Sequence, residues 1–382
     1  MKKSLNLSEP NISRKEIKMV NKALIKNELA IGENIIKFEE RLKKYLKIKY
    51  VTLCSSGSNA LITIMKILKL DSNDEIILPT LTFVATVNAC TLFKAKPIFF
   101  DCDKYHNIDL KKVIEFIEKQ TYFKNNKTIN RKTKKWIKAI ILVHVWGNAC
   151  EIDKIYKLCK QRNIKIVEDA SESLGTKYKI GKFKNKFTGT VGDIACLSFN
   201  GNKIITTGSG GAIITNIKNY SKKAKLYINH YKTDTVKFIH PEEGFNFRIN
   251  NIQASIGLAQ IDKINFFIKK KKNINHNYIK AFKKNKNFFV NSMPKYSDNN
   301  SWLTVLTSKN KSQDTIAIIT KLIKNKINAR KPWYPNHLQK PFKKYQNYKI
   351  TNAQKVFKNS ICMPSNIDLN YKQIQKISKF LK

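Results

Sequence analysis

The apolar positions near the start of the chain repeat at helical spacing. Ile17, Val20, Ala23, Leu24 and Ile25 make one stripe, which predicts a helix over residues 14–29, and a second is expected from Ile35 to Tyr45. The pattern then changes. Tyr50–Cys54 is a short apolar run closed by Ser55-Ser56-Gly57-Ser58-Asn59, and helical spacing resumes at Leu61, Ile62, Met65 and Leu68. Further strands are expected at Glu75–Pro79, Lys96–Asp101, Ile137–Val145 and Ile164–Asp169. The stretch Ile76–Phe93 carries no charge, but Pro79, Asn88 and its threonines mark a strand, a turn and a helix start rather than a membrane span. Strands alternating with helices predict a mostly parallel sheet covered by helices, with ligands beyond the carboxyl ends of its strands. After Asn250 a helix bearing Ile252, Ile256, Leu258, Ile261, Phe266 and Phe267 leads into shorter elements that end in Ile374–Leu381. A large α/β domain over residues 1–250 and a smaller α+β domain over 251–382 are therefore expected.

Charge changes the picture less than its size suggests. The 382 residues hold 73 Lys+Arg against 27 Asp+Glu, a net charge of +46. Only six are arginine (14, 41, 131, 162, 248 and 330), whereas phosphate and base recognition favours the arginine fork. Lysine spread along the whole length reads as solvated faces, the run Lys269–Lys272 included, and not as a nucleic-acid surface. The seven cysteines form no CxxC pair and several lie in apolar runs, which predicts reduced buried thiols and a cytoplasmic protein. The six histidines show no HxxxH or HExxH spacing, so no metal site is expected. The first residues lack an apolar segment behind their lysines, which argues against a signal peptide.

The candidate chemistry lies in three places. Strand, small polar turn and helix around Ser55–Asn59 form a phosphate-binding device, with free N–H groups and the positive helix end facing the turn. No Gly-Lys-Ser/Thr follows, so it is not a Walker loop, and a plain N-cap explains the turn as well. Asp169 stands where an apolar strand stops, a position equally suited to capping a helix. Lys203 lies between Leu197-Ser198-Phe199 and Thr206-Thr207-Gly208-Ser209-Gly210-Gly211, on a tight link between two strands. A lysine held in a pocket there can bond covalently to a carbonyl, whereas a surface lysine would do nothing. Phosphate turn, strand-end aspartate and lysine are the three parts that pyridoxal phosphate (PLP) needs.

Those residues, with Leu7–Ile12, Pro79–Phe83, Val143–Asn148, Glu168–Gly175, Gly192-Asp193, Gly244–Arg248, Asn251–Ala254 and Trp333–Gln339, resemble the DegT/DnrJ/StrS-type sugar aminotransferases along essentially the whole chain. The resemblance implies the fold-type I PLP-dependent architecture: a mostly parallel, seven-stranded-type sheet between helices, plus a small C-terminal α+β domain. It implies Lys203 as the Schiff-base lysine and Asp169 as partner of the pyridine nitrogen. Ser58, Asn59 and Ser198 would bind phosphate, and Phe83 would stack on the ring, although by composition alone Phe83 reads as core. Asn246 would reach the phosphate in a neighbouring subunit, implying a homodimer with shared active sites. Tyr334 and His337 would border the nucleotide-sugar site. His144, beside a strand end, reads as structural.

Within the family the chain is most similar to enzymes of legionaminic-acid and bacillosamine pathways. That implies transfer of an amino group, with L-glutamate the usual donor, to C4 of a UDP-linked 4-keto-6-deoxy-N-acetylhexosamine. Two departures stand out. Glu172 occupies the position near the cofactor's 3-oxygen that is usually glutamine or histidine, and Ser209 replaces a glutamate. A sugar dehydratase on the same fold would carry histidine in place of Lys203, and a basic nucleic-acid-binding protein would show arginine clusters.

Overall fold

A computed structural model describes residues 4–310 and 312–381. Its first ten strands are β1 (Tyr50–Cys54), β2 (Asp74–Pro79), β3 (Lys96–Phe100), β4 (Thr121–Lys124), β5 (Lys127–Asn130), β6 (Trp136–Val143), β7 (Lys165–Asp169), β8 (Lys177–Tyr178), β9 (Ile194–Ser198) and β10 (Gly211–Thr215). Five short ones follow: β11 (Phe288–Val290), β12 (Ser297–Asp298), β13 (Thr304–Ser308), β14 (Asn347–Tyr348) and β15 (Ser360–Met363). The central sheet runs β1-β10-β9-β7-β6-β2-β3-β14, with the β4–β5 hairpin attached to β6. From β9 to β14 neighbours are parallel, while β10 is antiparallel to both β9 and β1. The reversal follows from the link between β9 and β10, which contains no helix to carry a crossover. Instead it folds back on itself, Phe199 N–H bonding Gly210 O at 2.8 Å and Thr207 N–H bonding Phe199 O at 2.9 Å.

Period-two alternation distributes the strand side chains between two cores. Ile76, Leu78, Ile141 and Val143 face one side, and Ile77, Ile98, Ile140 and Leu142 the other. Helices cover both faces, so the strands read as nearly continuous apolar runs. This is the mostly parallel, helix-covered sheet of the fold-type I class. A third core joins β11, β13 and β15 to the helices Ile264–Phe282 and Tyr371–Phe380. The long helix contributes Ile264, Phe267 and Ile268 to the first core and Ile274, Tyr278 and Phe282 to the third. All seven cysteines are buried and unbonded. No helix among the described residues is long and apolar enough to cross a membrane.

Several expectations are corrected. The first helix ends at Ile25 because Asn27 turns left-handed (φ 57°). The helix expected through Phe267 is two helices, Asn251–Ile261 and Ile264–Phe282, separated at Asp262–Lys263. The lysine run 269–272 is not one solvated face: Lys271 is buried, with 3% of its surface exposed.

Candidate active site

The carboxyl ends of β1, β2, β6, β7 and β9 open on one cavity of ≈ 520 Å³. Of the residues singled out from sequence, Ser58, Phe83, Asp169, Glu172, Ser198 and Lys203 line it. Asn59 does not: its amide turns back to Ser55 Oγ at 2.8 Å. Asn246 is exposed beyond this cavity, where its segment pairs with Asn229. Tyr334 packs edge-on against Phe357 with ring centroids 5.1 Å apart. His337 is buried, its Nδ1 2.7 Å from Thr80 Oγ1.

At one wall the helix Gly57–Ile67 begins. Ser56 caps it, its Oγ accepting from Asn59 N–H at 3.0 Å. The N–H groups of Gly57 and Ser58, in the first turn, have no acceptor within the helix and are suited to an anion. A Cβ on Gly57 would come within 2.8 Å of Ser198 Cβ, so only glycine lets the turn and the end of β9 close on one another. Ser209 Oγ donates to Ser55 O at 2.8 Å, so Ser209, where glutamate was expected, braces this same turn.

Asp169 ends β7 and is held by neutral donors: Thr86 Oγ1 at 2.8 Å, Ser171 N–H at 3.1 Å and Cys196 Sγ at 3.2 Å. Its charge remains available to a protonated ring nitrogen. Behind it, His144 Nδ1 accepts from Cys150 N–H, so Nε2 donates to Glu168 at 2.9 Å. Burial pushes the Glu168 carboxyl up, but bonds from His144 and the amides of Gly192 and Gly189 outweigh it and leave the pKa lowered. His144 is therefore a satisfied core residue. Phe83 is 55% exposed, on the cavity wall and not in the core.

The Lys203 side chain is 13% exposed, with its Nζ 3.6 Å from Glu172 Oε1 and 4.3 Å from the ring centre of Trp302. Glu172 Oε2 accepts from Trp146 N–H at 2.8 Å. Burial raises the Glu172 pKa; Lys203 and the Trp146 amide pull it down and Asp169 adds to the rise, for a net upward shift. Trp146 has a left-handed backbone (φ 53°), strained for an aromatic residue, and its ring stacks on Trp333 at 5.4 Å. Sequence reasoning missed Thr86, Trp302 and Arg330 in this wall, and included Trp333 only in a quoted run, with no role. Arginine is so rare here that Arg330 could have been flagged on scarcity alone.

The family match spans residues 10–382, described as the DegT/DnrJ/EryC1/StrS aminotransferase family. The chain belongs to that family. GDP-perosamine synthase of Escherichia coli O157:H7 is 31% identical over 97% of this chain and 96% of its own. The Helicobacter pylori UDP-4-amino-4,6-dideoxy-N-acetyl-beta-L-altrosamine transaminase is 29% identical over 98% and 96%. Among solved structures, the H. pylori aminotransferase PseC, involved in the biosynthesis of pseudoaminic acid, superposes with a TM-score of 0.88 at 27% identity, covering 99% of this chain and 98% of that one. This aminotransferase is therefore PLP-dependent, as its family is. The cavity fits that cofactor: a helix-start turn for the phosphate, a carboxyl group that pairs with no cation among the described residues for the ring nitrogen, an aromatic wall and one lysine among its lining residues.

Proposed function

We propose that this enzyme moves an amino group from L-glutamate to C4 of a nucleotide-linked 4-keto-6-deoxy sugar, with UDP-4-keto-6-deoxy-N-acetylhexosamine the first candidate. The product would serve surface-glycan or nonulosonic-acid synthesis. The observation that carries this reading is the meeting of Lys203, Asp169 and the Ser56–Ser58 turn in one cavity. PLP, when bound, supplies an aldehyde for the amino group and a ring that accepts an electron pair. Lys203 Nζ, close to Glu172 and shielded by Trp302, would hold the cofactor through its aldehyde carbon with loss of water and, once displaced by the donor's amino group, would be the base that takes the proton from the donor carbon. Asp169 would keep the ring nitrogen protonated, and Thr86 fixes the direction of its carboxylate. Gly57, Ser58 and Ser198, which line the cavity, would bind the phosphate, and Phe83 would stack on the ring. Trp302 and Trp333 line the same cavity.

Asn246, exposed outside its own cavity, supports a homodimer in which it reaches the phosphate bound by the second subunit. The relatives' names include both GDP- and UDP-linked sugars, so the base is the property to test. The purified, PLP-loaded enzyme should be assayed with glutamate against UDP-, GDP- and dTDP-linked 4-keto-6-deoxy sugars. Amination of the UDP-N-acetylhexosamine with the highest kcat/KM supports the reading. Turnover of none of them, with loss of water from the sugar instead, would replace it with the dehydratase.

A further inference from the structure

Lys271 lies where the helix Ile264–Phe282 passes from the first core to the third, and it is buried. A buried cation is costly unless its protons are all satisfied. Its Nζ bonds three oxygens from three distant segments: Ser365 O at 2.7 Å, Ser8 Oγ at 3.1 Å and Trp302 O at 3.3 Å. An ammonium has three donors and no acceptor, so this set matches it one for one. Burial lowers the Lys271 pKa to about 7, and the neutral amine fits too, donating to both carbonyls while its lone pair accepts from the Ser8 hydroxyl. In either form the carbonyl of Trp302 keeps its donor.

The Trp302 end connects this anchor to the chemistry. Its indole faces Lys203, and its Nε1–H donates to Asn202 O at 2.7 Å, one residue before that lysine. Ser301, just before it, has φ 56°, a left-handed conformation that survives only where both flanks are held. Asn300 holds the near flank, accepting from Trp302 N–H at 2.9 Å and donating to Glu172 O at 2.9 Å. Lys271 holds the far flank.

We infer that Lys271 is a positioning residue that, through the Trp302 carbonyl, sets the indole against Lys203 and so fixes the reacting amine in the cavity. The inference rests on the reading of Lys203 given under the proposed function. The test compares Lys271→Met, which keeps length but has no N–H, with Lys271→Gln, which keeps a donor. In cofactor-free protein, pulse labelling with an amine-reactive reagent and peptide mass spectrometry should find Lys203 modified several-fold faster in Lys271→Met, less so in Lys271→Gln. In the loaded enzyme kcat should fall roughly ten- to hundredfold, the scale of a displaced reacting group, with a smaller change in KM. Added to Trp302→Ala, Lys271→Met should cost nothing more.

An unchanged Lys203 labelling rate, or costs that add fully in the double variant, would overturn the inference and leave Lys271 merely structural. Should Lys271→Met not fold, the labelling rate of Lys203 in Lys271→Gln decides on the same terms. Lys203→Ala serves as the control: turnover by that variant would overturn the proposed function itself, which no Lys271 result can do.

Discussion

Glu172 shares the cavity with Lys203 and stands where glutamine or histidine was expected. One carboxylate oxygen accepts from the Trp146 amide, so a proton on this group belongs on Oε1, the oxygen that faces Lys203. Protonated, it can donate to a cofactor oxygen as glutamine does; ionised, it can only accept. Its raised pKa favours the protonated form at lower pH, and that donor is lost as pH rises through the shifted value. Glu172→Gln is therefore expected to keep most activity and to remove the limb of the pH–rate profile on which activity falls with this ionisation. Superimposable pH profiles for the two proteins would contradict this assignment.

At the scale of elements, the start of the helix Gly57–Ile67 carries the heaviest demand. Gly57 packs against the end of β9, and the added methyl of Gly57→Ala would force the two apart. Overpacking of this kind costs about 1–3 kcal/mol. The cost falls on the phosphate turn, so PLP affinity is expected to drop roughly tenfold or more by the same energy, measured by titration of the cofactor-free protein. Unchanged affinity would remove this turn from the phosphate site.

The sheet strands were legible because buried parallel strands leave long apolar runs in the chain. The β4–β5 hairpin was not read, though its Asn125-Asn126 turn, with φ of 49° and 57°, is the local signal of a two-residue hairpin loop. Lys203, Asp169 and Ser58 were legible as candidates because Asp169 ends a strand and the other two follow one closely, each within its own local motif. Trp302 and Lys271 could not. Lys271 meets Ser8 and Ser365 across 263 and 94 residues of sequence, and nothing beside it in a lysine run marks it as buried.

For the whole molecule, the charge of +46 is the property most open to misreading. Exposed lysines act through a diffuse field that salt screens within about 8–10 Å. Any binding to nucleic acid should therefore be unselective and should vanish as salt rises, since counterion release dominates it. A tight, sequence-selective complex at physiological salt would contradict that view.

The central claim is narrower: among all the lysines of this chain, Lys203 alone carries the cofactor. Loading the protein with PLP, reducing it with borohydride and mapping its peptides by mass spectrometry tests this directly. The account predicts one stably modified lysine, Lys203, and no such adduct together with no turnover in Lys203→Ala. A phosphopyridoxyl group on a different lysine, or full transamination by the Lys203→Ala variant, would contradict it.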